Sequence, residues 1–309
     1  MKELSFLQRD PSVLGGCVYY SQNREDLVLA SFFSDVEKGF YVDVGGYDPD
    51  YDSVTKLFYL RGWHGINIEP QPSGYALFQK KRTRDTNLNI GISNKDSNLT
   101  LRTYTSGGLS TFSENVKHAY EKDPDNDTRD FKEITVAVKT LSEVFQENKV
   151  DHIHFMKVDV EGYEYEVLEG NDWEKYRPEV LCIEANHIEH DWKPILKTAG
   201  YEFVFNDSLN DYYVDKKTDR KKRFNFIKDV INDRGGGIRA DYFEQLTSLY
   251  RYSLDKGNHV QELDARVRDL QQQLQEANRK LEQFNSIKAT TKHLNHLMAR
   301  NLKRGVKRG

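Results

Sequence analysis

Gly39-Phe40-Tyr41-Val42-Asp43-Val44-Gly45-Gly46 is the stretch on which the reading of this chain turns. It is short, β-branched and aromatic, and it closes on two glycines, the pattern of a buried strand that ends in a sharp turn. The next residues, 53–63, place Val54, Leu57, Phe58 and Leu60 at the spacing of one helix face. GINIEP (65–70) predicts a second strand, SGYALFQKKR (73–82) a second helix and NLNIGIS (87–93) a third strand.

The alternation continues outward. A helix is expected over Asn23 to Phe33, and TLSEVFQENKV (140–150) predicts another, with Thr140 as cap and Glu143 completing a capping box. HIHFMKVDVEG (152–162) and EVLCIEAN (179–186) read as strands, with a helix from Tyr163 to Leu168 between them. Trp192 to Ala199 predicts a helix, and YEFVFND with DYYVDKK a closing strand pair. Strands alternating with helices require crossovers, so the expectation is an α/β fold with a mostly parallel sheet. Thr103 to Asp130 is long enough for a lid, or for an insertion without structure of its own.

Past the glycines of NDRGGGIRA (232–240) the pattern changes. Val260, Leu263, Val267, Leu270, Leu274, Ala277, Leu281 and Phe284 fill successive a and d heptad positions, the seam of a self-associating α-helical coiled coil. The expected organisation is a domain over 1–235 with an N-terminal helical extension, a helical linker over 236–257, a coiled coil over 258–287 and a basic tail over 288–309.

Composition narrows the function classes. The chain has 309 residues and a net charge of −4, from 45 Lys+Arg and 49 Asp+Glu. Seven of the basic residues, and no acid, lie in Lys288–Gly309, which leaves an acidic body of −11 (38 against 49). An acidic body argues against nucleic-acid binding. The basic tail suits an anionic membrane surface or an acidic partner, or is simply solvated. No apolar run approaches the roughly 20 residues of a membrane span. The N-terminus lacks a signal-peptide core, and Cys17 and Cys182 have no CxxC partner, so a cytoplasmic setting is expected.

In a doubly wound sheet, ligands bind beyond the carboxyl ends of the strands. Asp43, Gly45 and Gly46 end the first strand there, without the GxGxxG of a dinucleotide site, and the glycines let a ligand approach the main chain. Glu69 ends the second, where an acid accepts hydrogen bonds from ribose hydroxyls. Adenosine without a pyrophosphate points to S-adenosylmethionine. Lys157, Asp159 and Glu161 end the fourth strand, and Glu184, Asn186 and His187 the fifth. Oxygens from Asp159, Glu184 and Asn186 would suit a hard divalent cation such as Mg or Mn. A carboxylate, Lys157 or His187 would take a substrate proton. The plainer reading is an ion pair of Lys157 with Asp159 or Glu161. Tyr47, Tyr51, Trp63, Tyr104 and Tyr163 are candidates to stack on a sugar.

The blocks SQNREDLVLASFF, GFYVDVGGYDPDYDSVTKLFYLRGWHGINIEPQP, TLSEVFQENKVDHIHFMKVDVEGYEYEVLEG and EVLCIEAN, in that order, resemble the FkbM-type S-adenosylmethionine-dependent methyltransferases over residues 18–215. Ser208-Leu209-Asn210 with Tyr212-Tyr213 is similar to the branch found with polysaccharide biosynthesis genes. The resemblance implies a class I Rossmann-like methyltransferase domain with S-adenosylmethionine held at Asp43, Gly45, Gly46 and Glu69. It implies O-methylation of a sugar hydroxyl on a glycan or glycolipid, and capping of a bacterial surface polysaccharide. The catalytic candidates are Asp159, Lys157, Glu161 and His187. The coiled coil would make a homo-oligomer, and the tail would contact the inner face of the membrane or a polymerase. The alternative from a different class is a non-catalytic oligomeric scaffold in a glycan-assembly complex.

Overall fold

The computed structural model describes residues 17–104, 108–122, 130–187, 190–220, 237–239, 267–276 and 279. In chain order these form β1 (Cys17–Tyr19), α1 (Glu25–Phe32), β2 (Phe40–Val44), α2 (Lys56–Leu60), β3 (His64–Ile68), α3 (Pro72–Lys81), β4 (Thr86–Leu88) and β5 (Gly91–Ile92). Then follow β6 (Ser97–Tyr104), α4 (Glu114–Lys122), β7 (Phe131–Lys139), α5 (Leu141–Glu147), β8 (Phe155–Val158) and α6 (Glu164–Glu169). The remainder are β9 (Val180–Glu184), α7 (Lys193–Thr198), β10 (Tyr201–Asn206), β11 (Asn210–Asp215) and β12 (Gly237–Arg239).

The central sheet has seven strands in the order β10-β11-β9-β8-β2-β3-β4. All neighbours run parallel except β11, which is antiparallel to both β9 and β10. Side chains alternate to opposite faces of a strand, so β2, β8 and β9 each feed two cores. Tyr41, Phe155 and Cys182 face α1 and α2, packing with Leu29, Phe32, Phe58 and Trp63. Val42, Val44, Met156, Leu181 and Ile183 face α5, α6 and α7, packing with Phe145, Leu168 and Leu196. Helices on both faces bury the parallel strands completely, at roughly 2 kcal/mol for each large apolar side chain removed from water.

Local signals set the helix ends. At α5 the Thr140 Oγ1 accepts from Glu143 N at 3.2 Å, and Glu143 Oε2 accepts from Thr140 N at 3.0 Å, the capping box expected from the sequence. The run NLNIGIS does not stay in one strand. Thr86–Leu88 pairs with β3, whereas Gly91 and Ile92 pair with β7 in a separate sheet of order β5-β7-β6. The chain leaves the central sheet at Asn89, whose Nδ2 donates to the carbonyls of Glu69 and Pro70 at 2.9 Å each.

The 103–130 stretch is not an insertion without structure. It carries the end of β6 and all of α4, and β7 starts just after it; residues 105–107 and 123–129 lie outside the described set. Nor is the expected linker helical throughout, because residues 237–239 pair with β1 as a parallel strand. Residues 267–276 are helical, with Val267, Leu270 and Leu274 half-buried and the positions between them exposed. The rest of the linker, most of the heptad segment and the basic tail lie outside the described residues. No helix among the described residues is long and apolar enough to cross a membrane.

Candidate functional site

The ten residues singled out in the sequence line one cavity of about 610 Å³: Asp43, Gly45, Gly46, Glu69, Lys157, Asp159, Glu161, Glu184, Asn186 and His187. The cavity opens where β2, β3, β8 and β9 end. Between β2 and β8 the strand order reverses, and the loops that leave them diverge and open a crevice.

On the β2–β3 side the two glycines line the cavity and also meet close packing. Gly45 has φ +85, and a Cβ there would stand 1.8 Å from the carbonyl oxygen of Asp159. At Gly46 a Cβ would lie 2.8 Å from the Phe78 ring. Both amides donate to the carbonyl of Ile68, at 3.0 and 3.2 Å. Asp43 is buried at the tip of β2, with Oδ2 accepting from Thr55 Oγ1 at 3.0 Å. Burial pushes Asp43 up to about 6, against the pull of that hydrogen bond. Arg82, fully buried, donates to the Pro49 carbonyl and to Ser53 Oγ and so fixes the 49–55 loop.

Glu69 is 5% exposed. Its Oε2 accepts from Tyr47 N and its Oε1 from Gln71 N, both at 2.7 Å. Burial raises it to about 7, despite the two amides. A carboxylate offers about four acceptor positions, so two remain after these bonds.

On the β8–β9 side Lys157 is buried and donates to Asn210 Oδ1 at 2.8 Å and Asp159 Oδ2 at 3.0 Å. Burial alone would lower its pKa, but Asp159, Glu25 and Glu184 outweigh it and hold the ammonium above its usual range. Lys157, expected among the candidate proton acceptors, is thus held as a cation between Asp159 and Asn210. The ion pair and the carboxylate cluster, alternatives in the sequence, are both present. Asp159, Glu161 and Glu184 each offer an oxygen within 4.8 Å of the others. Burial, then the charge of Asp159, drives Glu161 up to about 8. Glu184 is driven well above the carboxylate range by burial, Asp159 and Glu161. Asn186 stands outside this trio, with Nδ2 3.4 Å from Glu184 Oε1. His187 Nε2 lies 3.8 Å from Glu161 Oε2.

Three lining residues were missed in the sequence. Glu25, 1% exposed, accepts from Asn210 Nδ2 at 3.1 Å and joins Lys157 through that amide; Gln22 lies beside it in the lining. Tyr120 of α4 donates to Glu161 Oε2, and its ring meets His187 edge-on. The apolar pair Val116 and Tyr120, one helical turn apart, was the signal for α4. Of the candidate sugar-stacking aromatics, Tyr47 and Tyr51 line the cavity. Trp63 and Tyr104 are instead buried in packing, and Tyr163 stacks against Phe112 outside the lining.

Residues 43–205 match the family model of the methyltransferase FkbM domain. Among solved structures, the chain is similar to methyltransferase FkbM from Methylobacillus flagellatus KT, at 16% identity and a TM-score of 0.37. That alignment covers 60% of this chain and 47% of the other, so the chain spans about half the length of that relative. It is also similar to precorrin-6y C5,15-methyltransferase from Geobacter metallireducens GS-15, at 11% identity, a TM-score of 0.31, and coverage of 64% and 88%. No curated protein matches the chain.

Proposed function

This chain belongs to the FkbM methyltransferase family, and from that premise we propose that it transfers a methyl group from S-adenosylmethionine to a hydroxyl oxygen of a glycan. One observation carries the reading: a single cavity runs from Glu69 at the tip of β3 to Asp159, Glu161 and Glu184 at the tips of β8 and β9. A nucleoside anchor and a cluster able to handle a proton therefore share one space.

The residues present fit the donor. The two acceptor positions left on Glu69 suit the two ribose hydroxyls. Seven carboxylates line the cavity (Glu25, Asp43, Asp52, Glu69, Asp159, Glu161 and Glu184) against Lys157 and His187. Their acceptor oxygens suit a ligand carrying a sulfonium and an ammonium. When bound, S-adenosylmethionine supplies an electrophilic methyl group. The chain's own task is to align an acceptor oxygen, exclude water and accept a proton. Glu161 is suited to the last by its place, where Tyr120 fixes its carboxylate at the end of β8. Tyr47, Tyr51, Phe112 and Tyr120 give the cavity wall aromatic faces suited to a sugar ring. The end of a bacterial surface polysaccharide is the acceptor that the sequence resemblance favours, with the heptad segment joining copies of the chain and the basic tail resting on a membrane surface.

Titration calorimetry with S-adenosylhomocysteine tests the donor half. Glu69→Gln turns an amide group toward one of two backbone N–H donors and should weaken binding roughly tenfold or more. Transfer of a labelled methyl group to a neutral oligosaccharide, followed by mass spectrometry, tests the acceptor half. A chain that binds no S-adenosylhomocysteine would sink the proposal and favour the scaffold.

A further inference from the structure

Glu184 ends β9 at 6% exposure, and its Oε2 is buried with no hydrogen-bond partner. Its Oε1 receives only the 3.4 Å contact from Asn186. A buried carboxylate oxygen without a donor is uncommon, because it loses water and gains nothing in exchange. The nearby donors are engaged elsewhere: Lys157 bonds to Asp159 and Asn210, and Tyr120 to Glu161. Yet Glu184 lies in a group of three carboxylates whose oxygens stand within 4.8 Å of one another.

We propose that Asp159, Glu161 and Glu184 form a binding site for a hard divalent cation of the Mg²⁺ or Mn²⁺ class, with Glu184 Oε2 as its innermost ligand. Adjacent oxygens around such an ion lie about 3 Å apart, at roughly 2.1 Å from the metal. From the 4.8 Å within which these oxygens lie, that value is reached by a closing of up to about 2 Å shared among three side chains. An all-oxygen donor set favours a hard cation over zinc or copper. Lys157 engages Asp159 Oδ2, which leaves Oδ1 for the ion. Glu161 is aimed from a left-handed turn (φ 54) and held by two bonds: Thr111 Oγ1 donates to its carbonyl at 2.7 Å, and Tyr120 donates to its carboxylate. Asn186, expected among the ligands, lies beside the trio, with its Nδ2 3.4 Å from Glu184 Oε1.

The other cluster of metal-ligating side chains among the described residues, His152, His154 and Glu179, lacks this property. His154 Nδ1 accepts from Phe40 N at 3.0 Å, so its proton sits on Nε2 and no ring lone pair is left. Glu179 is tied to Arg220 at 2.7 Å and Thr218 at 3.0 Å.

The purpose of the ion, to orient the acceptor hydroxyl and lower its pKa, rests on the methyl-transfer reading; its binding does not. The test is titration of the full chain, freed of metal by chelation, with MnCl₂, reading free Mn²⁺ by electron paramagnetic resonance. One Mn²⁺ should bind per chain, displaceable by Mg²⁺. Glu184→Gln and Asp159→Asn should each weaken it about tenfold or more, while Glu179→Gln leaves it unchanged. Circular dichroism melts of the variants establish that they are folded. Absence of bound Mn²⁺ at millimolar concentration, or wild-type binding by folded Glu184→Gln, overturns the site and leaves three carboxylates that satisfy one another through shared protons. S-adenosylhomocysteine calorimetry on the same sample separates the two proposals: binding there without Mn²⁺ binding removes the cation alone.

Discussion

The carbonyl oxygen of Asp159 occupies the space where any other residue at position 45 would carry its Cβ, 1.8 Å away. The turns that follow β2 and β8 are thus in backbone contact across the point where strand order reverses, and Asp159 N also donates to Val44 O at 3.0 Å. Gly45→Ala must move backbone and also pay for φ +85 in a residue with a side chain. It should destabilise the chain by roughly 3 kcal/mol, measured by urea denaturation. A loss under 1 kcal/mol would show that the two turns are not locked.

Gly162 plays a related part on the opposite wall. Its φ is +91, and a Cβ would stand 2.4 Å from Val116 Cγ2 on α4. Gly162→Ala alone should cost about 2–3 kcal/mol. Combining it with Val116→Ala should recover about 1 kcal/mol, a coupling that a double-mutant cycle resolves. Strict additivity would mean that α4 does not rest on this turn.

Stability should fall as pH rises. Asp26, Asp43 and Glu69 carry folded pKa values of about 7, 6 and 7, raised by burial from 3.8, 3.8 and 4.5. A carboxyl group raised on folding stabilises the fold fully below its unfolded pKa, and that contribution is lost as pH climbs through the folded value. Between pH 4 and pH 8 the unliganded chain should therefore lose stability, by roughly 3 kcal/mol or more, since each of the three groups is shifted by about two units or more. Urea midpoints at pH 5 and pH 8 check the sign; a higher midpoint at pH 8 would contradict it.

Thr140→Ala removes one half of the capping box at α5, away from the cavity lining. The expected cost is about 1 kcal/mol, with S-adenosylhomocysteine affinity unaltered. A change in affinity would show that α5 is coupled to the site.

The central sheet and its site were legible because each strand announces its end. GFYVDVGG, GINIEP, KVDVEG and CIEAN put polar residues at the point where an apolar run stops, and parallel strands gather those points on one edge. What stayed hidden were pairings that a run of residues does not encode. Residues 87–93 look like one strand, and only the position of β7 shows that Gly91 and Ile92 have left for a second sheet. The β6–β7 ladder was missed because partly exposed strands joined by a long connection carry a weak alternation. The packing demand on Gly45 and Gly46 is hidden for the same reason: the atoms filling the place of their missing side chains come from residues 159 and 78.

The cavity has two walls of different origin. One is made by the tips of the seven-stranded sheet; the other includes Leu101 of β6 in the three-stranded sheet, Ser110 and Phe112 from the connection that follows, and Tyr120 of α4. Substitutions in that second layer can reshape one half of the chamber while every strand that forms the other keeps its register. The two halves are, in this architecture, separately heritable.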